Sequence, residues 1–320
     1  MPLVDIQNLT VSFPQHEGVV QAIRGISLRV EAGESVGIVG ESGSGKSVTC
    51  MAALRLLREP AARITADRID LDGTDMLHAT RRDLAAIRGR VAAMVFQDPM
   101  TAFDPVFTIG HQITETIRAH RTITMADARA EATSLLARVK IKTPQAIVNS
   151  YPHQLSGGML QRAMIAMALS CRPKQLFADE PTTALDVTIQ AQILSLIKEL
   201  QAELGMGLVM VTHDLGVVAE TVDRVVVMYG GRVMEEGPVQ DIFDTPQHPY
   251  TKALLSSIPG RMPGKRRLIE IPGASPNPAN PPTGCPFHPR CTLADAKCAT
   301  DQPAFTPIAP TRAAACWRLQ

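Results

Sequence analysis

The octapeptide Gly40-Glu41-Ser42-Gly43-Ser44-Gly45-Lys46-Ser47 follows a compact apolar strand, Ser35-Val36-Gly37-Ile38-Val39, and leads into a helix at Ser47-Val48-Thr49. It satisfies G-x-x-x-x-G-K-[ST] at every fixed position and in the setting that motif requires, strand before and helix after. The glycines let the backbone curl so that its N–H groups face phosphate oxygens. The helix start adds the positive end of its dipole. Lys46 supplies a point charge for the outer phosphates, and the Ser47 hydroxyl is a ligand for Mg²⁺.

A second apolar strand, Gln175-Leu176-Phe177-Ala178, runs into Asp179-Glu180. Two adjacent carboxylates at a strand end suit a division of labour: Asp179 holds the metal, and Glu180 polarises a water near the terminal phosphate. Further strands are expected at Val91 to Phe96, Leu208 to Thr212 and Arg224 to Tyr229. An amphipathic helix presents Ile189, Ile193, Ile197, Leu200 and Leu204 on one face. Strands alternating with helices predict an α/β domain. From about Gly110 to Ser170 strands give way to helices, at Thr124 to Val139 and Met159 to Leu169, so a helical insert is expected. Its methionines, Met159, Met164 and Met167, read as core packing. Nine prolines lie from Pro259 to Pro289, counting both ends, which predicts an extended, irregular tail. The basic run Lys265-Arg266-Arg267 reads as a solvated loop.

The 320 residues are 45% hydrophobic and 20% charged, enough to bury a core and unlike a disordered chain. Lys plus Arg number 32 and Asp plus Glu 31, a net charge of +1. That balance argues against a strongly basic nucleic-acid binder, and no nucleic-acid partner is expected. No apolar run reaches the roughly 18 residues of a membrane span. The first residues lack the pattern of a secretion signal, so a cytosolic protein is expected unless a partner holds it at a membrane. Leu155-Ser156-Gly157-Gly158-Met159 opens another helix, a second device for an anion. Two such devices in one chain make sense if the second serves the nucleotide of a facing subunit.

With these elements in order, residues 3–257 resemble the ATP-binding-cassette (ABC) ATPases. The resemblance implies a P-loop NTPase fold: a β-rich N-terminal subdomain, a RecA-like parallel-sheet core and an inserted α-helical subdomain at about 98–170. It implies ATP contacts from Gly40, Glu41, Ser42, Gly43, Ser44, Gly45, Lys46, Ser47 and Val48. Phe13 is the implied adenine-stacking aromatic, an ordinary surface or core Phe being the alternative. Gln97 looks like the Q-loop glutamine, a ligand of Mg²⁺ and of the attacking water. Asp179 and Glu180 look like the Walker B aspartate and catalytic glutamate. Ala184-Leu185-Asp186 matches the D-loop, and His213 the switch histidine. Ser156, Gly157 and Gly158 look like the signature, with Met159 where many members carry Gln. Family members close two cassettes head to tail on ATP.

Beyond the cassette, His248-Pro249-Tyr250-Thr251-Lys252 and Cys285-Pro286-Phe287-His288-Pro289-Arg290-Cys291 closely resemble the extension of dipeptide/oligopeptide (also nickel) import ATPases. The implied division is 1–257 for the nucleotide-binding domain and 258–320 for the extension. The implied activity is ATP hydrolysis coupled to uptake of peptides or related solutes, at the cytoplasmic face of the inner membrane. The implied partners are two transmembrane permease subunits, a second ABC ATPase subunit and an extracytoplasmic solute-binding protein. A nickel or other-solute importer is the near alternative; a soluble ABC ATPase of DNA repair or translation is the distant one. Cys285, Cys291, Cys298 and Cys316 are spaced C-x5-C-x6-C-x17-C, unlike the close pairs of zinc modules. Four thiolates on a loop-rich segment suit a [4Fe–4S] cluster, as in members of this subfamily that carry such a set. Zinc and unligated thiols remain alternatives. Cys50 and Cys171 read as small apolar residues in or beside helices.

Overall fold

The computed structural model describes residues 2–16, 18–183, 185–257 and 271–320. Ala184, the Lys265-Arg266-Arg267 run and the first residues of the expected extension, 258–270, lie outside them. Among the described residues the strands are β1 (Val4–Gln15), β2 (Gly18–Val30), β3 (Ser35–Val39), β4 (Arg63–Thr65), β5 (Arg68–Leu71), β6 (Thr74–Asp75), β7 (Ala92–Val95), β8 (Gln175–Asp179), β9 (Gly207–Val211), β10 (Arg224–Tyr229), β11 (Arg232–Pro238), β12 (Thr306–Ala309) and β13 (Arg312–Ala314). An antiparallel sheet runs β2-β1-β5-β6, with β4 also on β1. A larger sheet runs β12-β13-β11-β10-β3-β9-β8-β7. Its five central strands, β10 to β7 in that order, are parallel.

Those parallel strands are buried on both faces, which is why they read as unbroken apolar runs. The side-chain period of two then separates two cores. Leu176, Ala178, Leu208, Met210, Val225 and Val227 face one. Phe177, Val209, Val211, Val226 and Met228 face the other. The first core is roofed by helices, the second by the antiparallel sheet and helix Lys46–Ala53.

The helices between β7 and β8 form the insert. Helix Ile109–His120 starts where Thr108 Oγ1 accepts the His111 N–H at 3.3 Å, a side-chain cap. It buries Ile109, Ile113 and Ile117, four residues apart on one face. Helix Met125–Arg138 is capped by Thr124 in the same way and buries Ala128, Ala132 and Leu136. Gly110 packs where a Cβ would stand 2.4 Å from Val148 O, so those two segments touch backbone to backbone. Met164 is buried in this core, with Met159 and Met167 packed against it. Helix Val187–Leu204 buries Ile193, Leu196, Ile197 and Leu200; Leu196 extends the face expected from sequence. Cys50 is fully buried, and Cys171 half-buried against Thr116 O.

The proline-rich stretch is irregular over its described residues 271–287, and the tail becomes regular only after it. It contributes β12 and β13, and β13 pairs with β11 through Glu235↔Ala314 and Glu236↔Ala313. Glu235 is completely buried and takes Arg312 Nη2 at 2.9 Å. Its carboxylate also accepts the Gln247 and His248 backbone N–H groups, each at 2.9 Å. A buried charge is tolerable only with such a full set of partners.

His248 is 1% exposed, and its Nδ1 caps helix Pro249–Ser256 by accepting the Tyr250 N–H at 3.0 Å. Burial holds its pKa down to about 4. The unfolded chain binds that proton near pH 6.5, so between these values it holds more protons than the folded chain. This group's contribution is complete above pH 6.5 and is lost as pH falls through the window towards 4, about 3 kcal/mol in all. His248→Asn keeps a cap and removes the titration. Its urea midpoint should therefore fall less steeply than that of the parent from pH 6.5 to pH 4; parallel slopes would reject the buried neutral imidazole.

Candidate functional site

The ends of β3, β9, β8 and β7 converge at one edge of the large sheet, where open α/β sheets place ligands. The loop from Gly40 to Gly45 leaves β3 there and enters helix Lys46–Ala53. Gly40 has φ +151 and Gly45 φ +100, and neither has room for a side chain. A Cβ would lie 2.1 Å from Met228 O at Gly40, and 2.7 Å from Ala22 O at Gly45. At Gly43, with φ +77, nothing stands within 4 Å, so the loop is clamped at its ends and open at its middle. Gly231 N donates to Ser44 O at 3.1 Å. The Ser44 hydroxyl is buried with no hydrogen-bond partner among the described residues.

Lys46 is buried and folds back, its Nζ donating to Gly40 O at 2.9 Å and Glu41 O at 3.1 Å. Burial lowers its pKa, opposed by the charges of Glu180, Asp179 and Glu41. Ser47 Oγ donates to Asp179 Oδ1 at 2.7 Å. Burial pushes the Asp179 carboxyl up; the Ser47 hydrogen bond pulls the other way. A hydroxyl and a carboxylate oxygen thus stand side by side below the loop, a donor set that fits the Mg²⁺ of a nucleotide.

Glu180, one residue on, has φ +43, an unusual left-handed conformation for Glu. Its N–H donates to Val211 O at 2.9 Å. Its carboxylate meets three partners. Gln97 Nε2 donates at 3.0 Å, Thr183 Oγ1 at 2.8 Å, and His213 Nδ1 lies 3.3 Å away. Burial alone would raise this carboxyl, but the Thr183 and His213 hydrogen bonds, with the His213 and Lys46 charges, outweigh it and hold the pKa below the usual range. The group is an ionised acceptor at neutral pH. Thr183 carried no separate signal in the sequence; its spacing, three residues after Glu180 in a turn closed by Thr183 N to Glu180 O at 3.1 Å, is the pattern that finds it.

The other expected residues lie elsewhere. Phe13 is half-buried on β1 opposite Val20, at the margin of the second core, and Val48 packs against the same core. Ser156 is the exposed N-cap residue of helix Gly157–Leu169, yet its side chain makes no capping hydrogen bond. Gly157 and Gly158 face Leu185 and Ile189 rather than the loop. Asp186 caps helix Val187–Leu204, its Oδ1 accepting the Ile189 N–H at 2.9 Å. Glu41 and Ser42 stand on the outer side of the loop, half-buried and exposed respectively.

The [4Fe–4S] cluster expected at Cys285, Cys291, Cys298 and Cys316 is overturned. Among the described residues no group of three or more His, Cys, Asp or Glu is arranged to hold a metal ion. All six cysteines are free thiols. The four in the tail border a small cavity of ≈ 20 Å³ together with His248, Phe287 and Trp317, about the room of one water. Burial pushes the Cys285 thiol up to about 11 and also raises Cys291 and Cys316. The tail owes its order instead to strand pairing, the Glu235–Arg312 pair and aromatic packing of Phe287 on Tyr229 and Tyr250.

Known proteins resemble this chain in sequence and in fold. The ABC transporter family matches residues 23–183, and the "Oligopeptide/dipeptide transporter, C-terminal region" family matches 234–298. The "Probable peptide ABC transporter ATP-binding protein y4tR" of Sinorhizobium fredii is 48% identical over 317 residues, 99% of this chain and 95% of its own. The dipeptide transport ATP-binding protein DppD of Escherichia coli is 45% identical over 316 residues, 99% and 96% of the two chains. The ATP-binding cassette MJ0796, solved as a post-hydrolysis dimer bound to ADP and Pi, superposes with a TM-score of 0.66 at 29% identity, over 74% of this chain and 98% of that one. With these matches over nearly its whole length, the chain belongs to the ABC transporter family, among its ATP-binding, ATP-hydrolysing subunits with an oligopeptide/dipeptide-transporter C-terminal region.

Proposed function

We propose that this subunit binds ATP with Mg²⁺ on the 40–47 loop and hydrolyses it to drive uptake of di- or oligopeptides through a membrane-embedded permease pair. Names of relatives at 45–48% identity over nearly the whole chain support the solute class. The observation that carries the chemistry is the convergence of Gln97, Thr183 and His213 on Glu180, one residue beyond the Ser47–Asp179 pair. Lys46, released from Gly40 O and Glu41 O, is placed to meet the outer phosphates. Ser47 and Asp179 are the residues that would hold Mg²⁺, with Gln97 as the further ligand. The ion, arriving with the nucleotide, supplies charge neutralisation on the phosphates. Glu180, kept ionised, accepts a proton from a water in line with the terminal phosphate, and His213 steadies that carboxylate.

Ser156, Gly157 and Gly158 are offered as the cap on a second subunit's nucleotide. In support, the Ser156 side chain is exposed and makes no capping bond in its own helix, and the cassette MJ0796 is a dimer. Asp186 would lie at the same junction, and Phe13 would stack on adenine. The working division is a nucleotide-binding domain at 1–257, with the helices of about 98–170 receiving the permeases, and the extension at 258–320. No described helix is long and apolar enough to cross a membrane, so attachment to the inner membrane would come from the permeases. A solute-binding protein outside would deliver substrate.

Glu180→Gln should retain ATP affinity but lower turnover by about 10²-fold or more, the order expected for loss of a general base. ATP binding by calorimetry and phosphate release on the same preparation separate the two, and undiminished release removes Glu180 from the reaction. Thr183→Ala removes a hydrogen bond to the carboxylate, so the Glu180 pKa should rise. The acid limb of kcat should move to higher pH, while the alkaline limb stays in place; an unmoved acid limb would show that Glu180 does not set it.

A further inference from the structure

The phosphate loop carries a carboxylate of its own. Glu41 is the second residue of the loop, and an anion there repels the polyphosphate that the loop exists to hold. The structure shows what answers it. Arg290, from the tail, is 7% exposed at its side chain and pairs with Glu41 Oε2 at 2.7 Å. The same Nη1 donates to Tyr229 Oη at 3.0 Å. Nε donates to Pro272 O at 2.9 Å and Nη2 to Ile271 O at 3.0 Å, so the guanidinium is held rigidly by the tail it comes from. Ser275 Oγ donates to the same Glu41 oxygen. Tyr250 Oη accepts the Glu41 N–H at 3.0 Å. Glu41 is therefore surrounded by Tyr250, Ser275 and Arg290, all later in the sequence than the acidic pair.

We propose that Arg290 neutralises the Glu41 carboxylate, and that the C-terminal extension thereby sets the affinity of the phosphate loop for a nucleoside triphosphate. Arg290 is a positioning residue: it acts on the nucleotide through Glu41, and its own donors are already engaged. The inference rests on the reading of 40–47 as the nucleotide loop. It gives the tail a part in ATP binding that needs no metal. It also explains a buried Arg beside the loop whose charge no other described carboxylate pairs with.

The test is equilibrium binding of a non-hydrolysable ATP analogue to the full chain. Arg290→Met leaves the carboxylate bare and should weaken binding about tenfold, the order of one screened unit charge. Glu41→Gln in that background should restore binding to within about twofold of the parent, because the repulsion itself is gone. Glu41→Gln alone should bind at least as tightly as the parent. If the double variant stays as weak as Arg290→Met, Arg290 only braces the tail and the proposal fails; unchanged binding in Arg290→Met also overturns it. Should Arg290→Met not fold, Arg290→Lys keeps the charge while losing the fork to Pro272 and Ile271. Near-parental affinity in that variant supports neutralisation, and a tenfold loss rejects it. Lys46→Ala, measured beside these, tells the two failures apart: parental affinity there discards the nucleotide loop itself, and the Arg290 inference with it.

Discussion

Register between parallel strands is the constraint on which the site depends. Ile38 pairs with Val211, and Val211 with Asp179, so β3, β9 and β8 end on one row. Val95 on Ala178 brings β7 level with them. Gly40, Glu180, His213 and Gln97 follow one or two residues past that row, and Asp179 stands on it. A slip of one residue in β8 would turn Asp179 into the opposite core and carry the Ser47 contact away. Size rather than polarity opposes the slip, since Phe177 fills the second core while Leu176 and the small Ala178 face the first. Burial of aliphatic side chains thus does the work of aligning polar ones.

Much of this was legible in the chain. The strand over 35–39 and that over 224–229 stand where their apolar runs begin and end, because a strand buried on both faces has no polar positions to blur its limits. The motif at 40–47 was readable because backbone curvature and close approach leave only glycine at Gly40 and Gly45. The contacts of Glu180 were readable only in part. Gln97 and His213 came through resemblance, whereas Thr183 works through a turn whose side-chain direction no periodicity encodes. The antiparallel strands of the N-terminal sheet were equally faint one by one, since their bulges interrupt the alternation.

The tail shows the opposite failure. Proline content and cysteine spacing pointed to an irregular segment stapled by a cluster. The structure has free thiols around a small cavity and, next to them, two strands completing a sheet. Short strands such as Arg312–Ala314 have too few residues for alternation to register. Arg312–Ala314 is held by backbone pairing with β11 and β12, and Arg312 meets the buried Glu235 on β11. The pairing is a tertiary demand, invisible to any window on the sequence.

Glu235 and Glu41 are answered by Arg312 and Arg290, two acids of the cassette by two bases of its last fifty residues. Tail and cassette are therefore complementary parts, matched charge for charge. A tail grafted from a sister subunit would dock as a β-strand almost anywhere backbone is exposed, yet it would bring its own cations at its own spacing. A graft whose cations fall elsewhere would leave Glu235 buried without its counter-charge, so replacing this chain's tail carries a cost set by the spacing of Arg290 and Arg312.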